Sequence, residues 1–339
     1  MSVGLDIGSN SIKIVELSRA GAGWVLRAAG AVGHNAPPID SNLNDAKTVA
    51  DIANVIKKLV KDAKVAGRDV AIALPETQVF TRLMQFPMLN DAEIASAVKW
   101  EAEEYIPIPI KDAIIEHQIV ERLESANPPQ VLVLLVAALR SLVENYIEVV
   151  SKAGLNVVGV ETELISMTRS LAPEGKTAII IDFGARSTDI AIVKNAQLLF
   201  SRSVPTAGEA FTRAVAQSLG VNIQQAEEYK KAYGLNENQL EGKVGRALAP
   251  ILKVVSGEIK KAIHYYQLNI KGDSPSVVII GGGSAGLPGV VPVLANLLGV
   301  EVLIGTPFGK IKVEPDAVRS LSNYAPLYSV AAGLAMRGD

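Results

Sequence analysis

The chain has 339 residues, of which 49% are hydrophobic and 20% charged, so it can bury a large core and two domains are expected. Its net charge of -2 and pI near 6.0 argue against a nucleic-acid-binding protein, which usually presents a basic face. The absence of cysteine excludes disulfides, thiolate metal sites and cysteine nucleophiles, and the three histidines lack the spacing of metal ligands.

Membrane signals are missing from the sequence. The N-terminus shows no basic region followed by an apolar stretch, so no signal peptide is expected. The longest apolar run, VLVLLVAAL at residues 131–139, has about half the length that crosses a bilayer and predicts a buried strand. We therefore expect a soluble, intracellular protein.

The N-terminal stretch LDIGSNSIKIVEL, residues 5–17, contains an apolar strand that breaks at residues 6–11 and then resumes. The alternating apolar positions predict two strands joined by a tight turn. An ordinary hairpin explains the glycine and the asparagine, but it requires neither the aspartate at the strand end nor the clustered hydroxyls. The segment alone leaves its role open.

Regular elements follow in chain order. Residues 45–64 carry apolar side chains at helical spacing and predict an amphipathic helix. Residues 69–74 predict a strand that Pro75 ends. The pattern then predicts, after a strand that begins near residue 79, a helix (91–105), two strands (114–120 and 131–139), a helix (142–153) and a strand (157–160), with a loop at 125–130.

A second copy of the first motif begins at Ala178, with the sequence AIIIDFGARSTDIAIV. Residues 6–11 align with residues 182–187: each copy has an apolar strand, Asp, an apolar residue, Gly, two variable residues, Ser and another apolar strand. Two hairpins of one design, about half the chain apart, predict a protein of two similar halves.

The residue types in this pair are suited to holding phosphate. Glycine lets the backbone approach a phosphate closely, and consecutive turn N–H groups bind anions. Asp6 and Asp182 would repel phosphate on their own, so their presence predicts a magnesium ion between them. The predicted phosphate-binding residues are Gly8, Ser9, Asn10, Ser11, Lys13, Gly184, Ala185, Ser187 and Thr188.

Residues 277–302, VVIIGGGSAGLPGVVPVLANLLGVEV, predict a buried strand, a glycine run and an apolar helix. The run contains G-x-G-x-x-G from Gly281 to Gly286, the signature of a dinucleotide-binding unit. Too few residues follow it for such a domain, and Glu301 precedes its strand rather than ending it. A loop closing over an adenosine fits better, with contacts from Gly281, Gly282, Gly283 and Ser284.

The order D-x-G-x-x-S, D-x-G-x-x-S/T and strand-GGGS resembles the two phosphate motifs and the adenosine motif of the actin-like ATPase superfamily. AEEYKKAYG, residues 226–234, is similar to the helix with which FtsA and the bacterial actins hold the nucleoside, which implies that Glu227 and Lys230 do so here. An exposed amphipathic helix face is the alternative for these two residues. The resemblance implies ATP or ADP, with Mg²⁺, as ligands.

Within that superfamily, three longer stretches are similar to the PilM family: GLDIGSNSIKIVEL, ALPETQVFTRLMQFPML with DAEIASAVKWEAEEYIPIPI, and GGGSAGLPGV. The resemblance implies an α/β, actin-like ATPase fold of two ribonuclease-H-like lobes, with the FtsA-type subdomain 1C in place of 1B. The expected subdomains are 1A at residues 1–78 and 160–175, 1C as a βαββαβ insertion at 79–159, 2A at 176–205 and 269–339, and helical 2B at 206–268.

For function, the resemblance implies a cytoplasmic ATP-binding adaptor of the type IV pilus assembly platform, held at the inner membrane through its partner. PilM proteins bind the cytoplasmic N-terminal peptide of PilN between 1A and 1C. Candidates for this groove are Trp100, Tyr105, Ile106 and Ile108. For Trp100 the alternative is packing in the core of 1C. Other platform proteins are expected partners, and self-association stays open.

A motor-like ATPase competes with a nucleotide-stabilised adaptor. Glu161, in GVETELI, stands where the superfamily often carries an acid that orients water, but a glutamate favoured by the helix dipole explains it equally well. Without 1B, slow or absent hydrolysis is expected. Alternatives are a slow actin-like ATPase, a GspL-like type II secretion component, which normally continues into a transmembrane helix, and an FtsA-like filament protein, disfavoured because residues 331–339 predict no amphipathic membrane helix.

Overall fold

The computed structural model describes residues 1–21, 23–37, 39, 45–270 and 273–338. Up to residue 171 the strands are β1 (Ser2–Ile7), β2 (Ser11–Ala20), β3 (Gly23–Gly33), β4 (Asp69–Leu74), β5 (Val79–Pro87), β6 (Ala113–Leu123), β7 (Gln130–Leu139) and β8 (Asn156–Thr162). The helices are α1 (Ala46–Asp62), α2 (Asp91–Tyr105), α3 (Arg140–Lys152) and α4 (Glu163–Leu171). A 3₁₀ turn, Glu76–Gln78, separates β4 from β5.

Beyond residue 171 the strands are β9 (Thr177–Phe183), β10 (Thr188–Lys194), β11 (Gln197–Val204), β12 (Val277–Gly281), β13 (Glu301–Ile304) and β14 (Ile311–Lys312). The helices are α5 (Gly208–Leu219), α6 (Ile223–Tyr233), α7 (Lys243–Asn269), α8 (Val290–Leu298), α9 (Pro315–Leu321) and α10 (Ser329–Ala335). Among the described residues, no helix combines the length and apolar character needed to cross a membrane.

Two sheets of similar plan confirm the two similar halves. In the described residues, one sheet has six strands in the order β14-β3-β2-β1-β4-β8, and the other has five in the order β11-β10-β9-β12-β13. In each, an antiparallel hairpin (β1–β2 or β9–β10) pairs on its other side with a parallel strand (β4 or β12). The parallel pairing brings the ends of those strands to one edge of the sheet.

The predicted helix at residues 45–64 is confirmed as α1. The carboxylate of Asp45 accepts hydrogen bonds from the backbone N–H groups of Lys47 and Thr48 and so caps the first turn. The apolar stripe of α1, which includes Ile52 and Ile56, is buried against the first sheet. Its position shows that the sequence periodicity identified the correct buried face.

A small sheet in the order β5-β7-β6 is formed between the two halves of the chain, and β7 is the buried strand that VLVLLVAAL predicted. Helix α2 packs on one face through Ile94, Val98 and Ala102. The other face carries Leu134, which belongs to the same core cluster as Met167 of α4. The small sheet is therefore wedged against the larger lobes rather than standing free.

Two predicted subdomain boundaries disagree with this strand pairing. The last strand of the predicted βαββαβ insertion, β8, joins the six-stranded sheet through β4, and α3 before it packs on α1. Likewise β14 pairs with β3, and α10 packs so closely on β1 that a Cβ at Gly4 would lie 2.1 Å from the Ala331 carbonyl oxygen. By this pairing and packing, β8, β14 and α10 all belong with the six-stranded sheet; the division into subdomains stays a prediction.

Candidate functional site

The first hairpin turns between β1 and β2 as the sequence predicted. The N–H of Gly8 donates to the Ser11 carbonyl oxygen (3.1 Å) and closes the turn. Asp6 and Lys13 are cross-strand partners, and their carboxylate and ammonium groups are 2.9 Å apart and buried. Burial disfavours the ammonium charge, but Asp6 outweighs it and raises the pKa of Lys13. The acid of this hairpin therefore has its counter-ion within the hairpin.

The second hairpin, between β9 and β10, closes in the same way, because the N–H of Gly184 donates to the Ser187 carbonyl oxygen (3.1 Å). Two of its predicted phosphate ligands have other partners. The Ser187 hydroxyl donates to Asp189 (2.8 Å), and the hydroxyl of fully buried Thr188 donates to the Thr206 carbonyl (2.7 Å). Direct phosphate contact by Ser187 and Thr188 stays a prediction, and in this structure both hydroxyls already donate to protein groups.

The glycine-rich loop after β12 packs against this second hairpin. Gly282 has φ 83°, and a Cβ there would lie only 2.1 Å from the Asp182 carboxylate. The N–H of Ser284 donates to the Phe183 carbonyl (2.9 Å), and its hydroxyl donates to the Gly184 carbonyl (3.2 Å). Glycine is required at residue 282 because the backbone is left-handed there and a side chain would collide with the carboxylate.

Helix α6 brings Glu227 and Lys230 to the start of α5. Lys230 is only 5% exposed, so the exposed-face alternative is wrong for it. Its ammonium group donates to the Gly208 carbonyl (3.1 Å) and the Thr212 hydroxyl (3.0 Å) and pairs with Glu227 (2.6 Å). Burial lowers the pKa of Lys230. Burial by itself would raise the pKa of Glu227, but hydrogen bonds from Lys230 and Thr212 hold that pKa below the usual value.

The two hairpins face each other across a cleft. The side-chain amide of Asn10 donates to Glu209 of α5 (3.4 Å), and Glu209 pairs with Arg186 (3.5 Å). The cleft opens into a cavity of about 490 Å³ whose lining residues come from both hairpins, from the end of β3 and from the segment after it: Ser9, Asn10, Gly33, His34, Asn35, Ala36, Pro37 and Arg186.

Four buried carboxylates lie in or next to the second hairpin. Burial, with Asp189 and Asp6 nearby, raises the pKa of Asp182 to about 7, and burial raises that of Asp189 to about 6. The pKa of Glu163 is raised by burial and by Asp182, and that of Glu76 is raised to about 7 by burial and by Asp189. The last three of these acids were not predicted.

This excess of carboxylate suits a divalent cation. In the described part of the chain, no three acidic or histidine side chains are arranged to hold a metal by themselves. Magnesium does not require such a cage, because it binds through one or two carboxylates together with waters and phosphate oxygens. Asp182 fits this use, since it lies beside like charges at the glycine-rich loop, whereas Lys13 already neutralises Asp6.

The structure does not support the catalytic prediction for Glu161. Its carboxylate is ion-paired with Arg169 (2.9 Å) and Arg337 (3.2 Å), and Arg169 also donates to the Gly333 carbonyl, so these contacts tie it to the C-terminal end of the chain. Glu163, two residues later, interacts electrostatically with Asp182 and Asp6. Of these two acids, Glu163, at the first position of α4, is therefore the one close to the aspartates of both hairpins.

The four peptide-binding candidates occupy different environments. Trp100 is 82% exposed on α2, so the core alternative for it is wrong. Tyr105 lies under the Arg82 guanidinium, 3.8 Å from ring centroid to carbon. Ile106 is buried in the core between α2 and the small sheet, and Ile108 packs against that core. Exposed apolar surface for a partner is thus offered by Trp100 and not by Ile106.

Known structures share this fold. The chain is 28% identical to a chain of the PilM–PilN type IV pilus biogenesis complex, with 99% of this chain and 98% of that chain covered and a TM-score of 0.84. Spiroplasma citri MreB5 bound to AMPPNP is 12% identical, with 98% and 93% covered and a TM-score of 0.51. The actin-like ATPase fold predicted from the motifs is confirmed.

Sequence comparison identifies the family. Cell division protein FtsA of Streptococcus pneumoniae is 25% identical over 95% of this chain and 79% of its own length. The sequence profile described as "Type IV pilus assembly protein PilM" matches residues 4–339. The match spans both hairpins, the small sheet and the glycine-rich loop. The chain belongs to the PilM family of type IV pilus assembly proteins.

Proposed function

We propose that this protein is an ATP-binding adaptor of the inner-membrane platform that assembles type IV pili. In this role it binds Mg–ATP in the cleft between the two hairpins and the cytoplasmic N-terminal peptide of PilN on the surface around the small sheet. Nucleotide binding stabilises the arrangement of the lobes, and hydrolysis is slow or absent.

The observation that carries the nucleotide site is the contact between the glycine-rich loop and the second hairpin. Gly282 leaves room for the Asp182 carboxylate, and Ser284 hydrogen-bonds to the hairpin backbone. The glycine-rich loop and the second hairpin, which are far apart in sequence, are thus in direct contact, as a shared nucleotide site requires. Lys230 supports the same region from within by donating to the Gly208 carbonyl at the start of α5.

Asp182 is proposed to bind the magnesium ion of the nucleotide, with Asp6 as the facing carboxylate. The cation would neutralise phosphate charge and the buried carboxylates together. Lys13 forms an ion pair with Asp6. The N–H groups of Gly8 and Gly184 close their own turns, so the donors for phosphate oxygens would come from the turn residues that follow each glycine.

Calorimetric titration with Mg–ATP tests the nucleotide site. We expect saturable binding by the wild-type protein and none by Gly282→Ala, since the added methyl group would occupy the space of the Asp182 carboxylate. Gly257→Ala is the matched control, because a Cβ at Gly257 of α7 meets no atom within 4 Å. Unchanged binding by a folded Gly282→Ala protein would contradict the site.

The adaptor role is supported by the PilM–PilN complex, whose chain is 28% identical over almost the whole length. Trp100 offers an exposed aromatic anchor for an extended peptide. We expect Trp100→Ala to weaken binding of a PilN N-terminal peptide without changing Mg–ATP affinity. Ile106 does not suit this test, because a charge there would enter the core of the small sheet.

Slow hydrolysis is the second candidate, and Glu163 favours it. This acid is placed to accept a proton from water near the phosphates, with a pKa raised by burial and by Asp182. In a single-turnover assay, a hydrolytic protein would accumulate ADP, and Glu163→Gln would stop that without abolishing ATP binding. No ADP after prolonged incubation would leave the adaptor role alone.

A further inference from the structure

His34 holds the first phosphate hairpin from outside its two strands. It follows β3, and its backbone N–H donates to the Asn10 carbonyl oxygen (3.1 Å). Its side-chain Nε2 lies 2.9 Å from the Gly8 carbonyl oxygen. Because a carbonyl oxygen only accepts, Nε2 carries the hydrogen of this bond. One residue therefore fixes the backbone on both sides of Ser9.

The second nitrogen of the imidazole ring is left without a partner in the described part of the chain. Its Nδ1 is buried and has no hydrogen-bond partner in the described residues. A buried acceptor without a partner is destabilising, and such groups in folded proteins call for an explanation. The hydrogen bond from Nε2 to the Gly8 carbonyl explains why the ring is held there although Nδ1 has no partner among the residues described.

The surroundings of His34 indicate which part of a nucleotide would lie near it. His34 lines the cavity of about 490 Å³ together with Ser9 and Asn10 of the first hairpin and Arg186 of the second. Residues of both hairpins line this cavity and none of the residues assigned to the nucleoside does, so we assign it to the phosphate side of the cleft. Its described lining contains hydroxyl, amide, imidazole and guanidinium groups, and the Glu209 carboxylate that contacts Asn10 and Arg186 lies beside them. Such a set of donors suits a phosphoryl group.

We propose that His34 is the positioning residue for the terminal phosphate of ATP. It acts through the Gly8 and Asn10 carbonyls, which hold Ser9 and Asn10 at the wall of the cavity. The protein thereby distinguishes a nucleoside triphosphate from a diphosphate. This inference rests on the proposed nucleotide site and adds to it a discrimination that the two aspartates do not provide.

Calorimetry with Mg–ATP and Mg–ADP tests the proposal on three variants. We expect His34→Ala to weaken ATP binding about tenfold and ADP binding less than threefold, since about one hydrogen bond is lost from the distal turn. His34→Gln should recover much of the ATP affinity, because its amide can donate to Gly8. His264→Ala, which changes an exposed histidine on α7, should bind both nucleotides like the wild type.

Equal losses for ATP and ADP, or unchanged ATP binding by a folded His34→Ala protein, would overturn the proposal. If His34→Ala does not fold, the ATP-to-ADP affinity ratio of His34→Gln is compared with that of His34→Asn, whose amide is too short to reach Gly8. Equal ratios would also overturn it. A wild-type protein that binds neither nucleotide would instead overturn the nucleotide site itself.

Discussion

The two phosphate hairpins share one sequence pattern but differ in the residue across from the aspartate. In the first hairpin Asp6 is paired in register with Lys13, and in the second Asp182 is paired with Asp189. The first pair is an ion pair of 2.9 Å, whereas the second brings two buried acids together. Two hairpins of one design therefore hold an ion pair in one case and two neighbouring acids in the other.

This difference indicates that the two hairpins would contribute differently to binding a metal ion. In the first hairpin the charge of Asp6 is balanced by Lys13 without any ligand. The second holds carboxyls whose pKa values are raised to about 7 and about 6, mainly by burial, and it gains most from an added cation. We therefore propose that the second hairpin contributes most to holding the metal of a bound nucleotide.

The largest expected effect is on the first hairpin. Lys13→Met leaves Asp6 buried without its counter-ion and should lower the free energy of unfolding by about 3–5 kcal/mol. Urea denaturation of the nucleotide-free protein measures it. The double variant Asp6→Asn with Lys13→Met is the control and should regain most of the loss. A single variant as stable as the wild type would show that the ion pair is not needed.

The buried acids at the second hairpin should make the protein less stable as pH rises, whereas the acid of an ordinary ion pair makes a protein more stable as pH rises. In the folded protein the pKa of Glu76 is raised to about 7, so between about pH 4.5 and 7 the folded state keeps a proton that the unfolded state has lost. Stability should therefore fall as pH rises through this window and level off above it.

Glu76→Gln tests this sign. Relative to the wild type, the variant should gain about 2–3 kcal/mol of stability between pH 5 and pH 8, because it cannot lose a proton. Denaturant unfolding of both proteins at several pH values gives the difference. A constant difference across the range would mean that Glu76 ionises normally in the folded state.

A smaller effect is expected at the nucleoside end of the cleft. Lys230→Met should weaken ATP and ADP binding to the same extent, by about tenfold, since Lys230 organises α5 and α6 and not the terminal phosphate. Lys231→Ala, next in sequence and exposed, should bind like the wild type. A loss confined to ATP would move Lys230 to the phosphates.

Much of the fold could be predicted because periodicity reports burial directly. Helix α2 is an example: Ile94, Val98 and Ala102 form its buried stripe, and Trp100 lies off that stripe and is exposed. The same spacing argument, applied to Trp100, would have rejected its core packing. The two hairpins were found because they repeat a motif.

The electrostatics of the site could not be predicted in the same way. Asp189 was visible in the sequence, but its opposition to Asp182 depends on the strand register. Glu76 and Glu163 come from different elements that meet only in the tertiary structure, where the Glu163 carboxylate accepts the Glu76 N–H. The resemblance pointed to Glu161, and sequence alone does not show that Arg169 and Arg337 neutralise this acid.

The most direct test of the metal assignment is a comparison of Asp182→Asn with the wild type, titrated with ATP in the presence of Mg²⁺ and again in the presence of a chelator. We predict that Asp182→Asn weakens Mg–ATP binding by about tenfold or more, because a metal ligand and its charge are lost. Binding of metal-free ATP should stay unchanged or improve, since a carboxylate that repels phosphate is removed. Equal losses with and without Mg²⁺ would contradict the assignment of the metal to the second hairpin.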